Sequence, residues 1–506
     1  MPDKQTDIIH VATECTPFFK TGGLADVIGS LPQALDMPEG AVTVILPKHR
    51  NLSEEWIQQL NWIHSLSVWV KWRQQTCQVY ELTHQKVRYL FLENDYYFNR
   101  PSLYGDHDDG ERYAFFCHAI LEWVQHMKQK PSIIHCHDWQ TSLIPAYIRA
   151  KSWDSQIKTV VTIHNLAYQG QFPPSVFKEL LHFDDQAYPI IEMDDHVNYL
   201  KAGIAEADRI TTVSPSYSNE IQQPEFGYKL DSLLRQRSAD LTGIVNGIDL
   251  IDYNPAQDKE LIAPYSSRSL ASDINKRSLQ VEAGLSMSIS TPLFAVVSRL
   301  VPEKGIALLI ETLNKLLDHE RIQVIVLGSG SHELEQALFS LEHRFPKKLS
   351  FFHGFDEAKA RRIYAGADML LMPSLFEPCG LSQLISLRYG CVPVVRATGG
   401  LKDTIQPFHP HTGTGNGFTF HTMSSGDLRL TIIRAISIFH NKTQWNKLLT
   451  NGAATELSWK NSAKLYHIIY DGLRERKGVW NQRADQSEGV QRNIVKEITS
   501  CRASSA

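Results

Sequence analysis

Lys20-Thr21-Gly22-Gly23-Leu24-Ala25-Asp26-Val27 follows the first strand-like run of the chain. Paired glycines let backbone N–H groups approach a ligand closely, and a helix that starts there offers its positive end to phosphate. Lys20 adds a mobile cation. The spacing is neither the dinucleotide fingerprint Gly-x-Gly-x-x-Gly nor that of a P-loop. Taken alone, such a glycine turn serves as readily just to turn the chain. Further polar and glycine-rich groups end later apolar runs: His135-Cys136-His137-Asp138, His164-Asn165, Ser298-Arg299, Gly328-Ser329-Gly330, Pro373-Ser374 and Thr398-Gly399-Gly400. By themselves, Arg299 and Lys304 read as surface charges at strand and helix ends, Glu377 as a solvated loop carboxylate, and His164 as a satisfied core histidine. The His135-x-His137 pair suggests a metal site, but it ends a strand and has no obvious third ligand, so no metal is expected.

The elements that must position these residues are legible as short β-branched apolar runs. In the first half they cover residues 8–13, 42–46, 87–92, 133–135, 159–163 and 209–213, with room for helices between them, as at 112–127. This alternation is the mark of a parallel, doubly wound sheet. Asn246-Gly247 and Asn254-Pro255 then signal turns, and residues 256–290 are polar without strand character. A second series follows at 293–297, 322–327, 349–352, 369–372 and 392–395. The fold class expected is α/β, two Rossmann-like domains joined near 243–255. In such sheets ligands sit beyond the carboxyl ends of the strands, where the polar groups above fall. One shared cleft is the simplest inference.

Composition narrows the class. At 506 residues the chain is too long for one compact core. Apolar residues make up 42% and charged residues 21%, which is ordinary for a globular protein. The net charge of −4 and the lack of a long basic run argue against a nucleic-acid partner. A neutral partner such as a glucan fits, although the 10 Trp and 18 Tyr suit core packing as well as sugar stacking. Seven cysteines at irregular spacings, with no Cys-x-x-Cys pair, read as reduced thiols of a cytoplasmic protein. The apolar run near the N-terminus is interrupted by His10 and Glu14 and makes a poor signal-peptide core. No stretch approaches the roughly 18 apolar residues of a membrane span.

The glycine-rich segment resembles the N-terminal signature of glycogen and starch synthases, glycosyltransferase family 5. Later motifs agree in order: His135-Cys136-His137-Asp138-Trp139-Gln140, His164-Asn165-Leu166-Ala167-Tyr168-Gln169-Gly170, and Val245-Asn246-Gly247-Ile248-Asp249. Ser298-Arg299-Leu300, Lys304-Gly305, Glu377-Pro378-Cys379-Gly380-Leu381, Thr398-Gly399-Gly400-Leu401-Lys402-Asp403-Thr404 and Ser458-Trp459 complete the series. The likeness covers roughly residues 7–474. It implies a GT-B architecture of two facing Rossmann-like domains, 1–245 on the acceptor side and 246–458 binding the nucleotide sugar. A helix over 459–475 would cross back to the first domain, and 476–506 would be a polar tail.

The resemblance also implies roles. Arg299 and Lys304 would neutralise a departing diphosphate, and Glu377 would bind the donor glucose and offset charge at its reacting carbon. Asp138 and His164 would lie near the glucose. Lys20, Gly22, Gly23, Asp26, Asn246, Cys379, Gly380, Leu381, Gly399, Gly400 and Leu401 would bind substrate, and Phe355 would stack on the base. The donor would be ADP-glucose, with UDP-glucose as the alternative, and the acceptor an α-1,4-glucan such as glycogen. Neither cofactor nor metal is implied. Residues from both halves around one donor would require closure, with 245–254 as the hinge. Many related transferases place a second Glu eight residues after the first. Here that position is Ile385, which disfavours a paired-carboxylate mechanism. Residues 271–276 and 96–109 also depart from the pattern. A non-catalytic homologue should have lost a charged site residue, but Lys20, Arg299, Lys304 and Glu377 are all present. A nicotinamide oxidoreductase would need the absent fingerprint, and the lysine-bound cofactor motif of glycogen phosphorylase is not apparent.

Overall fold

The computed structural model describes residues 6–266 and 270–475. Its strands in the first half are β1 (Ile8–Val11), β2 (Val42–Pro47), β3 (Asn61–Val70), β4 (Arg73–His84), β5 (Val87–Glu93), β6 (Ile133–His137), β7 (Lys158–Ile163), β8 (Gln171–Phe172), β9 (Glu192–Met193), β10 (His196–Asn198), β11 (Arg209–Thr212) and β12 (Leu241–Gly243). Nine of them form one sheet in the order β12-β11-β7-β6-β1-β2-β5-β4-β3, and β8, β10 and β9 form a small separate sheet. The central pairings of β1 with β2 and β6, and of β6 with β7, are parallel. Every residue of β1 and β6 is buried, as suits parallel strands covered on both faces.

One part of this sheet departs from the expected alternation. β3 and β4 form a long antiparallel hairpin that adds to β5 at the sheet edge. Along β3, Leu66, Val68 and Val70 are buried while Ser65, Ser67 and Trp69 are exposed. A strand with one wet face alternates polar and apolar residues, so a search for continuous apolar runs passes over it.

The second half contributes β13 (Leu293–Val297), β14 (Gln323–Gly328), β15 (Leu349–His353), β16 (Met369–Met372), β17 (Val392–Arg396) and β18 (Phe418–Phe420). They form a parallel sheet in the order β15-β14-β13-β16-β17-β18. Successive side chains go to opposite faces and build two cores. Phe294, Val296, Val324 and Val326 pack with Leu309, Leu313 and Leu316 of the helix Ile306–His319. Leu293, Ala295, Ile325 and Leu327 pack with Leu279, Ile363 and Leu384. Within the polar stretch 256–290 lies the helix Leu270–Glu282.

By internal contacts the chain divides into two units. Among the described residues, the first holds 6–211, Tyr228–Leu241 and 461–475. The second holds Thr212–Gly227 and Thr242–Lys460. The longer segment of the second unit starts at Thr242, and its shorter segment, Thr212–Gly227, contains the helix Pro215–Glu220. Within the first unit the helix over 460–475 is fastened by His467 Nε2 to the Leu35 carbonyl at 2.8 Å, by the Tyr470 hydroxyl to His135 Nδ1 at 2.7 Å, and by an Arg474–Asp7 ion pair. The expected tail 476–506 lies outside the described residues. Among those described, no helix is long and apolar enough to cross a membrane, and six cysteines are buried and free.

Candidate functional site

In the first unit the glycine turn leads from β1 into the helix Gly23–Ala34. Lys20 Nζ lies 2.8 Å from Asp26 Oδ1, one helical turn inside, so the two expected residues form a partly exposed ion pair. The buried carboxylate of Glu14 accepts the N–H of Thr21 at 2.6 Å, the Thr21 hydroxyl at 2.9 Å and the N–H of Gly22 at 3.1 Å. A carboxylate therefore already sits where backbone donors converge. Sequence reasoning missed Glu14 as a site residue, noting it only as a break in the apolar run.

Asp138 follows β6 with φ 58° and ψ −176°, a region used almost solely by glycine. Such a conformation costs on the order of 1–3 kcal/mol and persists only where neighbours hold it. Here its carboxylate accepts the His164 N–H at 2.8 Å, its N–H donates to the Thr162 carbonyl at 3.0 Å, and its carbonyl accepts the Ser142 hydroxyl at 2.8 Å. Asp138 and His164 are thereby held together at the ends of β6 and β7. Burial pushes the Asp138 carboxyl up to about 7, against the pull of the N–H groups of His164 and Asn165. Burial also pushes the His164 imidazole down to about 3, so it stays neutral.

The third histidine that spacing could not supply is His10. The parallel register sets His10 of β1 directly beside His135 of β6. Ring nitrogens of His10, His135 and His137 come within 4.8 Å of one another, and all three residues are buried. Yet both ring nitrogens of His135 already have partners, the Tyr470 hydroxyl at 2.7 Å and the Thr162 hydroxyl at 2.6 Å. A cation would have to displace these bonds.

In the second unit Arg299 is exposed just beyond β13, and Lys304 ends a short turn before the helix Ile306–His319. Lys304 Nζ reaches both oxygens of Glu377, at 2.8 and 2.7 Å, and the Ser374 hydroxyl donates to the same carboxylate at 3.0 Å. Glu377 is only 6% exposed, so it is a buried partner of the partly exposed Lys304 rather than a solvated loop residue. Gly305 makes the approach possible: its φ is +68°, and a Cβ there would lie 2.0 Å from the Pro373 carbonyl oxygen.

The backbone after Glu377 is locked to the second glycine pair. The Gly400 N–H donates to the carbonyl of Glu377 at 3.0 Å. A Cβ on Gly399 would lie 2.1 Å from that carbonyl oxygen, and one on Gly400 2.2 Å from the Cys379 carbonyl oxygen. The structure thus brings Glu377, Cys379, Gly399 and Gly400 together, with Leu401 buried beneath them. The backbone of Asn246 bonds the Cys379 thiol, which burial, the larger influence, pushes up to about 12. The Gly399 N–H is not vacant. It donates to Glu220 Oε1 at 2.8 Å, and the Thr398 hydroxyl donates to the same oxygen at 3.2 Å. Glu220 belongs to the helix Pro215–Glu220, and no motif flagged it. Gly380, at φ +72°, and Leu381 lead into the helix Ser382–Arg388. Phe355 stands apart in the loop after β15, 78% exposed.

Residues 7–236 match the family model described as starch synthase catalytic domain, and residues 289–447 match glycosyl transferases group 1. The two sheets, one parallel and one parallel at its centre, with cations, a buried Glu and glycine turns beyond their strand ends, define a two-domain α/β glycosyltransferase of GT-B type. A glycogen synthase of Halalkalibacterium halodurans is 47% identical over 473 residues, covering 94% of this chain and 99% of that one. That of Bacillus subtilis is 44% identical over 471 residues, covering 92% and 97%. The catalytic domain of starch synthase IV from Arabidopsis thaliana, solved with ADP and acarbose, superposes with a TM-score of 0.85 at 30% identity, covering 93% and 99%. A sucrose-phosphate synthase from Thermosynechococcus elongatus, 16% identical with a TM-score of 0.59 over 93% of this chain and 100% of that one, shares the fold. The chain belongs to the glycogen and starch synthase family, and it is an enzyme of glycosyl transfer in glycogen or starch synthesis.

Proposed function

We propose that the protein elongates an α-1,4-glucan by retaining transfer of glucose from ADP-glucose to the 4-hydroxyl of the non-reducing end. The observation that carries this reading is the Lys304–Glu377 pair, its carboxylate buried and its backbone locked to the Gly399–Gly400 turn. As the bond between the sugar carbon and the diphosphate oxygen breaks, negative charge builds on the leaving group and positive charge on the sugar. Lys304 and the exposed Arg299 answer the first, and the Glu377 carboxylate answers the second. In the first unit, Lys20 and the Gly22–Gly23 turn are assigned to the donor phosphates, and Asp138 and His164 to the donor glucose. The position eight residues after Glu377 is Ile385, which is buried in a hydrophobic core and offers no second carboxylate. The acceptor therefore attacks from the face that the diphosphate leaves. Its oxygen bonds the sugar carbon while its proton passes to the departing phosphate oxygen. The relatives named glycogen synthase and the ADP and acarbose held by the Arabidopsis structure support this donor and acceptor.

The test uses the purified full chain, a glycogen primer, and ADP-glucose or UDP-glucose, with nucleotide release and product linkage measured. Faster release from ADP-glucose with α-linked chain growth is expected. Preference for UDP-glucose would overturn the donor assignment, and a β-linked product would overturn retention.

A further inference from the structure

Three imidazoles form a hydrogen-bonded chain from the middle of the first sheet to the residue assigned to the donor sugar. His10 Nδ1 lies 3.1 Å from His137 Nε2, and His137 Nδ1 lies 3.0 Å from His164 Nε2. His10 and His137 are fully buried, and His10 Nε2 has no hydrogen-bond partner. At the other end, Nδ1 is the ring nitrogen of His164 that the chain leaves over. His135 stacks beside His137, with centroids 4.2 Å apart, but its bonds run to Tyr470 and Thr162, outside this chain.

A neutral imidazole has one N–H and one lone pair. Two hydrogen bonds in series therefore leave three neutral rings only two arrangements. In the first, every ring carries its proton on Nδ1. His10 then donates to His137 and His137 to His164, and the chain ends on a bare lone pair at His10 Nε2. In the second, every ring carries its proton on Nε2, and the chain ends on a buried N–H that donates to nothing. Orphaned buried N–H groups are the rarer defect in proteins, which selects the first arrangement. Burial holds His10 and His164 down to about 3 and pushes His137 down as well, so all three rings are neutral near neutral pH.

We propose that His10 and His137 are positioning residues that fix His164 as its Nδ1–H tautomer, so that it donates a hydrogen bond to an oxygen of the donor sugar. A histidine ring free in water prefers the other tautomer, so the chain works against the intrinsic bias. The proposal rests on the assignment of His164 to the donor glucose made above. It adds how that residue is prepared, from a sheet-centre histidine far from any recognisable motif.

The experiment is nitrogen-15 spectroscopy of the full chain carrying labelled histidine, with the His164 signal identified by its loss in His164→Gln. Wild-type His164 is expected as Nδ1–H, and finding it as Nε2–H overturns the proposal with no further variant needed. His137→Phe should move His164 toward Nε2–H and lower kcat/KM about five- to tenfold, the worth of one neutral hydrogen bond. His137→Gln, whose amide can still donate to His164 Nε2, should recover much of both, while thermal unfolding reports that each variant is folded. An unchanged His164 signal in folded His137→Phe overturns the chain's role. Full activity in His164→Ala overturns instead the assignment of His164 to the sugar, so the two failures are distinguishable.

Discussion

Each unit has a glycine pair at the end of a strand, and each pair has a carboxylate on its backbone donors. Gly22 gives its N–H to Glu14, and Gly399 gives its N–H to Glu220. The steric reasons for the glycines differ. Gly22 has an extended backbone, φ −156°, and an added Cβ would meet nothing nearer than Glu14 Oε1 at 3.9 Å. Gly399 sits at φ +43°, with the Glu377 carbonyl oxygen 2.1 Å from where its Cβ would be. Gly22 leaves room beside the chain. The second pair is a fastening that fixes where Glu377 sits. The polar groups nearby follow the same contrast. The first unit prepares neutral imidazoles and a raised Asp138 carboxyl, and the second prepares a charged Lys304–Glu377 pair. On the proposed reading, the first kind of group would orient a neutral sugar and the second would neutralise a leaving diphosphate.

Four measurements break or sharpen this contrast. Arg299→Ala or Lys304→Ala should cut turnover roughly 10²- to 10³-fold, the usual loss for one electrostatic donor. Near-wild-type turnover in both folded variants would remove the second unit's charges from the mechanism. Gly399→Ala should destabilise by about 1–3 kcal/mol or more, since strained backbone and a carbonyl clash combine. Gly22→Ala should stay within about 1 kcal/mol of wild type, as an ordinary surface change does. Equal melting temperatures for the two variants would erase the steric distinction between the pairs.

The third measurement concerns acid. Burial pushes His10, His49 and His118 of the first unit down to about 3, whereas the eight histidines of the second unit are exposed. A buried neutral histidine takes up its proton only on unfolding. The unfolded state therefore binds more protons between about pH 6.5 and 3, and stability falls as pH falls through that window. Asp138, raised to about 7, and Asp109, also raised by burial, work the other way, but they are two groups against these three histidines and His164, which burial likewise lowers to about 3. Peptide-resolved hydrogen exchange should show strands β1, β2 and β6 losing protection before β13, β14 and β16 as pH drops from 6.5. Simultaneous loss would contradict the contrast. The smallest effect expected is none: chelator should leave transfer intact, because His135 keeps both its hydrogen bonds without a cation. Activity lost to chelator and restored by zinc would assign the three histidines to a metal.

Much of this was legible in the chain because parallel strands buried on both faces are continuous apolar runs. β13 and β16 fall where the runs at 293–297 and 369–372 predict them. The β3–β4 hairpin was not legible, because one wet face dilutes the apolar signal. Among site residues, the motifs marked Glu377, Lys304 and the glycine pairs. They did not mark His10, Glu14 or Glu220, whose contacts with His137, Gly22 and Gly399 appear only in the folded chain.

The sequence by itself determined the two α/β series, the family, and which residue types are available for glycosyl transfer. These follow from periodicity and motif, which are local properties of the chain. Only the tertiary structure decided which groups face one another: His10 beside His135 through strand register, Glu220 on the Gly399 N–H, and both oxygens of Glu377 on Lys304. Each of these joins residues 70 or more positions apart. Their meeting depends on sheet order and helix packing, and no short-range pattern encodes either.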